Sequence, residues 1–491
     1  MSRPQSPILG TRQAGVLLHP TSLPGPGPAG TLGHDAYYFV DFLVNTRQRV
    51  WQVLPLGPTH ADGSPYQCLS VHAGSERLIC WQQLVESGWL GADTLMRVGT
   101  DAPAALAAAA LMDFRMHAPG PAQEELRHFC AGQSWWLEDY ALYRVLRRHL
   151  GERPWFQWPV ALRDRKPAAL AEARQKYRAE LEQVCFEQFL FQRQWLGLKR
   201  YANERGVRLF GDLPIFVAYD SVDVWVDRAC FRLDAEGQPT VVAGVPPDYF
   251  SADGQRWGNP LYDWEHMAAD GFAWWRARIR SQLHLFDLVR IDHFRGFEAF
   301  WEIPATERTA IRGRWVPGPG DALFDALEGE FGALPVVAED LGTITPEVDE
   351  LRRRHRLPGM RVLQFGFDGS PLNPHLPHNF ERETVAYTGT HDNDTTCGWF
   401  ESLDAGARRH VQEYLGSAEE MPWSLIRGAH ASVAELAIVP MQDVLGLDGG
   451  HRMNRPGTSR GNWSWRFTWD LLTDDAAKKL RRITELYGRS A

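Results

Sequence analysis

The amino-acid sequence predicts an α/β fold, a (β/α)8 TIM barrel with inserted subdomains, the largest of them mainly helical. Eight short runs rich in Val, Ile and Leu end in polar or Gly/Pro clusters, which is typical of strands buried on both faces. Segments with helical periodicity, such as 322–331 and 346–355, separate most of these runs, and a repeated strand and helix favours a closed parallel barrel. The chain is about twice as long as a bare barrel, so roughly half of it is expected to be insertion.

The eight predicted strands divide the chain into barrel and insertions. In order, they are residues 15–18, 51–56, 207–210, 288–291, 335–338, 360–363, 384–387 and 436–440. Residues 1–79 form the first part of the predicted barrel and residues 200–491 form the rest. Residues 80–199 carry no strand signal and are rich in Ala, Leu, Glu, Gln and Arg, so we expect a helical subdomain there. A segment at about 219–275, dense in aromatic residues, Gly, Pro and Asp, is interpreted as loops over a site.

The composition excludes several classes of protein. With 44% hydrophobic and 23% charged residues, the chain resembles folded globular proteins rather than disordered or fibrous ones. Its net charge of −9 lacks the basic excess of nucleic-acid binders, so no nucleic-acid partner is expected. No long apolar stretch or signal-peptide core is visible, and six scattered cysteines form no C-x-x-C pair. We therefore expect no membrane partner and a cytoplasmic location.

Two motifs point to other chemistries but lack the structural context that those chemistries need. Residues 25–30 match the dinucleotide fingerprint G-x-G-x-x-G, yet Pro26 and Pro28 have no backbone N–H groups with which to bind phosphate. Residues 457–461 match G-x-S-x-G, but no hydrophobic strand precedes them and no helical pattern follows. Neither a nucleotide cofactor nor a serine nucleophile is therefore predicted.

Acidic residues follow several predicted strands, and in a barrel enzyme the active site lies at these strand ends. Asp212, Asp292, Glu339 and Asp392 come after the third, fourth, fifth and seventh strands. Arg290 lies two residues before Asp292 and so shares its face of the strand, where a guanidinium favours the ionised carboxylate. An ionised carboxylate at that point has the properties of a nucleophile.

The acids after adjacent strands suggest a retaining glycosidase pair. Neighbouring strands lie ~4.8 Å apart, so the carboxyls of Asp292 and Glu339 are expected within the ~5–5.5 Å of such a pair. Asp292 would attack the anomeric carbon while Glu339 acts as general acid and then as base. Asp392 would hold sugar hydroxyls and stabilise the charged transition state. Glu339 then needs a raised pKa, for which burial and Asp292 are the expected causes, because Asp340 faces the opposite side of the strand.

Two other interpretations of these acids stay open. A single Asp after a strand is often a turn former or a helix cap with no chemical role. Residues 391–394 also have the composition of a metal site, to which Asp220 and Asp223 would add oxygens. Their spacing matches no known ligand pattern, and we predict no metal.

The segments around these acids resemble the amylomaltase family of 4-alpha-glucanotransferases, the disproportionating enzymes of the alpha-amylase clan. The resemblance spans nearly the whole chain and rests on segments 15–24 (GVLLHPTSLP), 64–67 (SPYQ), 211–217 (GDLPIFV), 290–296 (RIDHFRG), 338–342 (AEDLG), 387–395 (YTGTHDNDT), 452–458 (RMNRPGT) and 461–466 (GNWSWR). It implies a barrel with insertions, no organic cofactor, and transfer of a 1,4-alpha-glucan segment from a donor maltooligosaccharide to the 4-hydroxyl of an acceptor glucan or glucose.

The resemblance also implies roles for individual residues. The family's nucleophile falls on Asp292, its acid/base on Glu339 and its transition-state stabiliser on Asp392. The residues implied to bind substrate are Tyr66, Asp212, Arg290, His391, Asp368 and Asn462 around the cleaved sugar, and Tyr249, Phe250, Gln255 and Trp257 in a loop over the acceptor side. Residues 68–75 depart from the family's usual Ser-rich sequence ending in Ala-Gly-Asn.

Two alternatives to glucan transfer remain at this point. A hydrolase would use the same acids with water as the acceptor, and the outcome depends on how well water is excluded. A catalytically inactive glucan-binding protein would need the aromatic residues but not all three acids. The aromatic segment 246–257 favours a sugar acceptor, and we predict maltooligosaccharides and 1,4-alpha-glucans as the ligands.

Overall fold

The computed structural model describes residues 9–247, 251–416, 420–458 and 460–490, and within these it contains twelve strands and eighteen α-helices. The strands are β1 Gln13–Leu17, β2 Val50–Gln52, β3 Arg208–Pro214, β4 Val241–Val245, β5 Gln255–Pro260, β6 Leu288–Asp292, β7 Ala299–Pro304, β8 Arg314–Pro317, β9 Val336–Ala338, β10 Gly359–Val362, β11 Thr384–Tyr387 and β12 Leu436–Pro440. The helices are α1 His34–Asn45, α2 Trp81–Glu86, α3 Ala92–Val98, α4 Pro103–His117, α5 Gly120–His149, α6 Val160–Arg163, α7 Pro167–Lys176, α8 Arg178–Glu204, α9 Val222–Val226, α10 Trp264–Ala269, α11 Ala273–Leu285, α12 Asp321–Phe331, α13 Pro346–Arg354, α14 Thr396–Ser402, α15 Ala405–Leu415, α16 Trp423–Ala431, α17 Met441–Val444 and α18 Asp474–Leu486.

Eight of the strands form a parallel, nearly closed barrel in the order β10-β11-β12-β1-β2-β3-β6-β9. They coincide with the eight apolar runs of the sequence, so the predicted barrel is confirmed. Both faces of these strands are buried because helices cover the outside and side chains fill the inside. Gly15 lets β1 pack against β2, since a Cβ there would lie 2.4 Å from the Val50 carbonyl oxygen.

The barrel closes between β9 and β10 through a buried acid rather than a full ladder of backbone bonds. The Ala338 N–H donates to the Pro358 carbonyl (2.9 Å). Asp340, just beyond β9, accepts from the Met360 N–H (2.6 Å) and from the Arg361 guanidinium (3.0 Å). Gly359 leaves the space that this carboxylate occupies, because a Cβ would lie 2.4 Å from its Oδ2. Asp340 thus joins the two strands from outside the barrel, facing away from the interior as expected.

A helical layer occupies the long interval between β2 and β3. Helices α2–α8 lie there, and the described residues of that interval contain no strand. The long helices α5 and α8 pack together, and the rings of Phe114, Phe186 and Phe189 lie with centroids 5.1–6.1 Å apart in the adjoining core. The division of the chain at residues 79/80 and 199/200 stays a prediction, and the second boundary falls within α8.

The aromatic segment at about 219–275 is more ordered than the predicted loops. Its strands β4 and β5 join β7 and β8 in an antiparallel sheet of order β5-β4-β7-β8. The prediction of loops is therefore wrong for Val241–Val245 and Gln255–Pro260. Strand β7, the partner of β4, lies about sixty residues further along the chain, after the fourth barrel strand, so local composition gave no sign of the pairing. No helix in the described part of the chain is long and apolar enough to cross a bilayer.

Asp340→Ala is expected to lower the free energy of unfolding by about 3 kcal/mol, because it removes the acceptor of the Met360 N–H and the carboxylate that lies 3.5 Å from the buried guanidinium of Arg352. Urea denaturation followed by tryptophan fluorescence measures the change. Glu350→Ala, at an exposed position on α13, is the control and should leave the midpoint within the error of the wild type. An equal midpoint for both variants would contradict the role of Asp340 in closing the barrel.

Candidate active site

A buried guanidinium links two acids at the ends of adjacent strands. Arg290 on β6 donates through Nη1 to both carboxylate oxygens of Asp212 on β3 (2.8 and 2.8 Å) and through Nη2 to Oδ1 of Asp292 (2.7 Å). The register of the ladder brings these groups together, since Asp212 pairs with Arg290. Hydrogen bonds between a guanidinium and a carboxylate are roughly twice as strong as those between neutral groups. They fix the Asp292 carboxylate, whose side chain keeps 30% of its surface exposed.

Glu339 lies at the end of the next strand, β9, in a more enclosed environment. Its Oε2 accepts from the His293 N–H (2.6 Å) and its Oε1 from the Leu341 N–H (2.9 Å). His293 adopts a left-handed backbone (φ 54°) with its N–H bonded to Glu339. Burial raises the pKa of Glu339 to about 8, the Asp292 charge adds to the rise, and Arg290 and the two N–H groups oppose it. The expected rise in the pKa of this carboxyl, and both of its expected causes, are confirmed.

Asp392 is the most exposed of the three acids, with 48% of its side chain accessible. Its Oδ1 accepts from Asn454 Nδ2 (2.6 Å) and lies 3.4 Å from His391 Nε2. Arg452 also donates to its backbone carbonyl (2.9 Å). Sequence reasoning did not assign Asn454 a role, although it lies within segment 452–458, one of those that carry the family resemblance.

The loop that carries His391 and Asp392 is anchored by a buried aspartate. Asp443, at the start of α17, accepts from the Thr388 hydroxyl (2.7 Å), the Thr396 N–H (2.7 Å) and the Thr396 hydroxyl (2.6 Å). These bonds fix both ends of the loop between β11 and α14. Asp443 lies about fifty residues beyond the loop in sequence, so no local signal connects the two.

Aromatic rings line the site beside Asp212. The Tyr66 hydroxyl donates to Asp212 Oδ2 (2.7 Å), and its ring stacks on His391 with centroids 5.1 Å apart. Trp463 lies 5.8 Å from Tyr66 and 6.0 Å from His391. His19, after β1, is buried, and its pKa is lowered to about 3 by burial and by the nearby His391. Sequence reasoning missed Trp463 and His19, whose only signal was their place in segments 461–466 and 15–24 of the family resemblance.

The other predicted residues lie at varying distances from the acids. Trp257 packs edge-on against the ring of His293 (4.8 Å), the residue after Asp292, and its Nε1 donates to Gln255 Oε1 (3.1 Å). Asp368 is exposed and accepts from the Ser370 N–H, while Asn462 accepts from the Arg455 N–H and so braces a nearby turn. The structure thus gives these last two no contact with the three acids among the described residues. Tyr249 and Phe250 lie outside the described residues.

The acids proposed as alternative metal ligands do not come together. Asp220 contacts Arg147 and accepts from the Tyr143 hydroxyl (2.9 Å), and Asp223 accepts from the Val71 N–H (3.1 Å). Asp394 instead lies near Arg452 (3.6 Å). Within the described residues, one group of acids and histidine is compact enough to hold an ion, and it consists of Asp325, Glu328 and His355, the first two on α12 and the third just after α13.

Comparison with proteins of known function identifies the family of this chain. A profile described as 4-alpha-glucanotransferase matches residues 18–473. The chain belongs to the 4-alpha-glucanotransferase family. It is 48% identical to the 4-alpha-glucanotransferase of Thermus thermophilus, over 96% of this chain and 98% of that one. It is also 48% identical to the enzyme of Synechocystis sp., over 98% and 99% of the two chains.

A solved structure supports the same assignment. The amylomaltase of Streptococcus agalactiae, solved in complex with acarbose, superposes with a TM-score of 0.94 at 38% identity, covering 97% of this chain and 99% of that one. The predicted family and the predicted transferase activity are confirmed: the chain is a 4-alpha-glucanotransferase with the fold of an amylomaltase. The two alternatives considered from sequence, a hydrolase and an inactive binding protein, are not supported by these relatives.

Asp443→Ala is expected to lower kcat for glucan transfer about 100-fold, with a smaller change in KM, because the loop carrying Asp392 loses three bonds and a shift of about 1 Å in an active-site group costs this much. Initial rates of glucose release from maltotriose measure it. Asp448→Ala removes an exposed carboxylate on the neighbouring turn and should retain nearly full activity. Equal rates for the two variants would show that the loop holds its position without Asp443.

Proposed function

We propose that this 4-alpha-glucanotransferase works by a retaining double displacement through a covalent glycosyl intermediate on Asp292. Maltooligosaccharides and other 1,4-alpha-glucans are the donors and acceptors. The main support is that two acids on adjoining strands have different environments. Arg290 bonds directly to Asp292, while burial raises the pKa of Glu339 to about 8. The acarbose complex of the Streptococcus agalactiae amylomaltase supports the ligand class.

In the first step, a carboxylate oxygen of Asp292 attacks the anomeric carbon of the donor. The bond from that carbon to the glycosidic oxygen breaks, and Glu339 gives its proton to the departing oxygen. The raised pKa of Glu339 serves this step, because the carboxyl still carries a proton near neutral pH. The products are a glycosyl ester on Asp292 and a released glucan fragment with a free 4-hydroxyl.

In the second step, the 4-hydroxyl of an acceptor attacks the same carbon and Glu339 removes its proton. Esterification has by then removed the charge of Asp292, one of the two causes that raise the pKa of Glu339. The pKa of Glu339 therefore falls in the intermediate, which suits its change from acid to base. Breaking the ester bond restores Asp292 and completes the transfer with retained configuration.

The remaining site residues are proposed to bind sugar. Asp392 stabilises the positive charge that develops on the sugar ring, held in position by Asn454. Tyr66, Asp212, Arg290 and His391 surround the sugar that is transferred. Asp368 and Asn462 are proposed as further neighbours of that sugar. On the acceptor side, the proposed contacts are Tyr249, Phe250, Gln255 and Trp257. The indole of Trp257 beside His293 supports an acceptor subsite next to the acids.

We also propose that the protein works in the cytoplasm. All six cysteines are unpaired, as is usual for proteins kept in a reducing compartment. A glucan transferase there would act on internal stores of 1,4-alpha-glucan.

Asp292→Asn is expected to lower transfer by about 10⁴-fold or more, since the amide cannot form the ester and no other group takes over a covalent step. Glucose and longer maltooligosaccharides formed from maltotriose are measured by chromatography. Asp475→Asn, an exposed change on α18, serves as the control, and circular dichroism compares the melting of both variants. A correctly folded Asp292→Asn variant with a tenth of the wild-type activity would remove Asp292 from the nucleophilic role.

Glu339→Gln is expected to cripple transfer from maltotriose far more than from a maltosyl fluoride, whose leaving group needs no proton. The ester on Asp292 should then accumulate with the fluoride, because the base of the second step is missing, and peptide mass mapping detects it. An equal loss with both donors would remove Glu339 from the acid role.

The pH profile of the wild type provides an independent test of the same carboxyl. Because only protonated Glu339 is a competent acid, kcat/KM for maltotriose should fall as the pH rises through about 8. The corresponding kcat/KM for maltosyl fluoride should lack this fall. A fall of equal size with both donors would mean that another group titrates.

A further inference from the structure

A surface patch lies where α5 of the helical layer meets α11 and the segment 68–75, the segment that departs from the family sequence. Trp135 on α5 is 52% exposed. Its ring lies edge-on to His72, with centroids 4.7 Å apart, and Trp136 lies 6.0 Å from the same imidazole. Ser281 and Gln282 of α11 complete the group, which we call the Trp135 patch: Trp135, Trp136, His72, Ser281 and Gln282.

The polar groups of the Trp135 patch are neutral. His72 Nδ1 is bonded to the Ser281 hydroxyl (2.8 Å), and the Gln282 amide donates to the Val71 carbonyl (3.4 Å). Burial lowers the pKa of His72 to about 3, so the ring carries no charge near neutral pH. Its Nε2 has no hydrogen-bond partner among the residues that the structure describes. A half-exposed indole beside uncharged donors and acceptors suits a neutral ligand that presents both a hydrocarbon face and hydroxyl groups.

A small cavity lies beside the segment that carries both Tyr66 and His72. It has a volume of about 50 Å³, and its lining includes His72 and Gln282 of the patch as well as Tyr66 and Asp212 of the active site. The short segment from Tyr66 to His72 therefore contacts the active site with one end and Trp135 with the other. A ligand bound at the patch would lie against the same segment that holds Tyr66 on Asp212.

We propose that the Trp135 patch binds a second stretch of 1,4-alpha-glucan, outside the active site. The C–H face of a glucose ring stacks on the exposed indole of Trp135, and its hydroxyls bond with His72 Nε2 and the Gln282 amide. The choice of ligand rests on the glucan transfer carried out by the family, and it is independent of which acid is the nucleophile. A long donor held at this point stays near the active site after each transfer, which raises its effective concentration there.

Electrophoresis of the pure protein through gels containing amylose measures binding directly, and the variants are Trp135→Ala, Trp135→Phe and Tyr38→Ala. Tyr38 on α1 is a matched control, with 57% of its surface exposed. Trp135→Ala is expected to weaken retardation by amylose about tenfold, while Trp135→Phe, which keeps an aromatic face, retains most of it and Tyr38→Ala retains all of it. For Trp135→Ala, the loss of kcat/KM on amylose should exceed the loss on maltotriose at least fivefold.

Each other result overturns the proposal. Unchanged retardation of Trp135→Ala means that glucan does not bind at the patch. Equal losses on amylose and maltotriose mean that Trp135 acts through the active site, and equal weakening in Tyr38→Ala means that loss of any exposed ring has this effect. Melting temperatures show whether each variant is folded, and Trp135→Phe supplies the comparison if the alanine variant is not.

Discussion

The active site depends on one buried cation. Arg290 lies inside the end of the barrel, where an unpaired guanidinium would be strongly unfavourable, so the fold must supply anions around it. Asp212 supplies two oxygens and Asp292 one. This requirement couples the register of β3 and β6 to the chemistry, because a slip of one residue would turn either acid to the opposite face of its strand. The fixed position of Asp292 is therefore a consequence of satisfying Arg290.

The two neighbouring acids have different surroundings. Asp292 bonds directly to Arg290, whereas Glu339 accepts from two backbone N–H groups and is buried, and its pKa rises to about 8. The left-handed turn at His293 matters here, since the His293 N–H belongs to the residue directly after Asp292 and bonds to Glu339. One turn thus sets the relative position of both carboxyls, and any distortion of it would affect both steps of the proposed mechanism.

Much of this architecture is visible in the sequence, and the exceptions have a common physical cause. The barrel strands, Asp292, Glu339 and the outward-facing Asp340 are predictable because an apolar run followed by an acid is a local pattern, and alternation along a strand fixes which face each side chain occupies. Asn454, Trp463 and Asp443 reach the site from about fifty to seventy residues beyond the loop or acid that they contact. Strands β4 and β5 were missed because β4 pairs with β7, which is distant in sequence, and such a pairing leaves no local pattern.

Asp292 and Glu339 lie at the ends of strands, whereas Asp392 lies on a loop, and this difference matches the task of each part of the site. Asp292 and Glu339 sit at strand ends whose positions the barrel fixes, as a covalent step demands of its reacting groups. Asp392 lies half-exposed on a loop held at both ends by Asp443 and braced at the acid itself by Asn454. A transferase must release one glucan and admit another, so part of its site has to be reachable from solvent. Placing Asp392, the acid proposed to stabilise the transition state, on an anchored loop rather than on a strand meets that need while the barrel keeps Asp292 and Glu339 fixed.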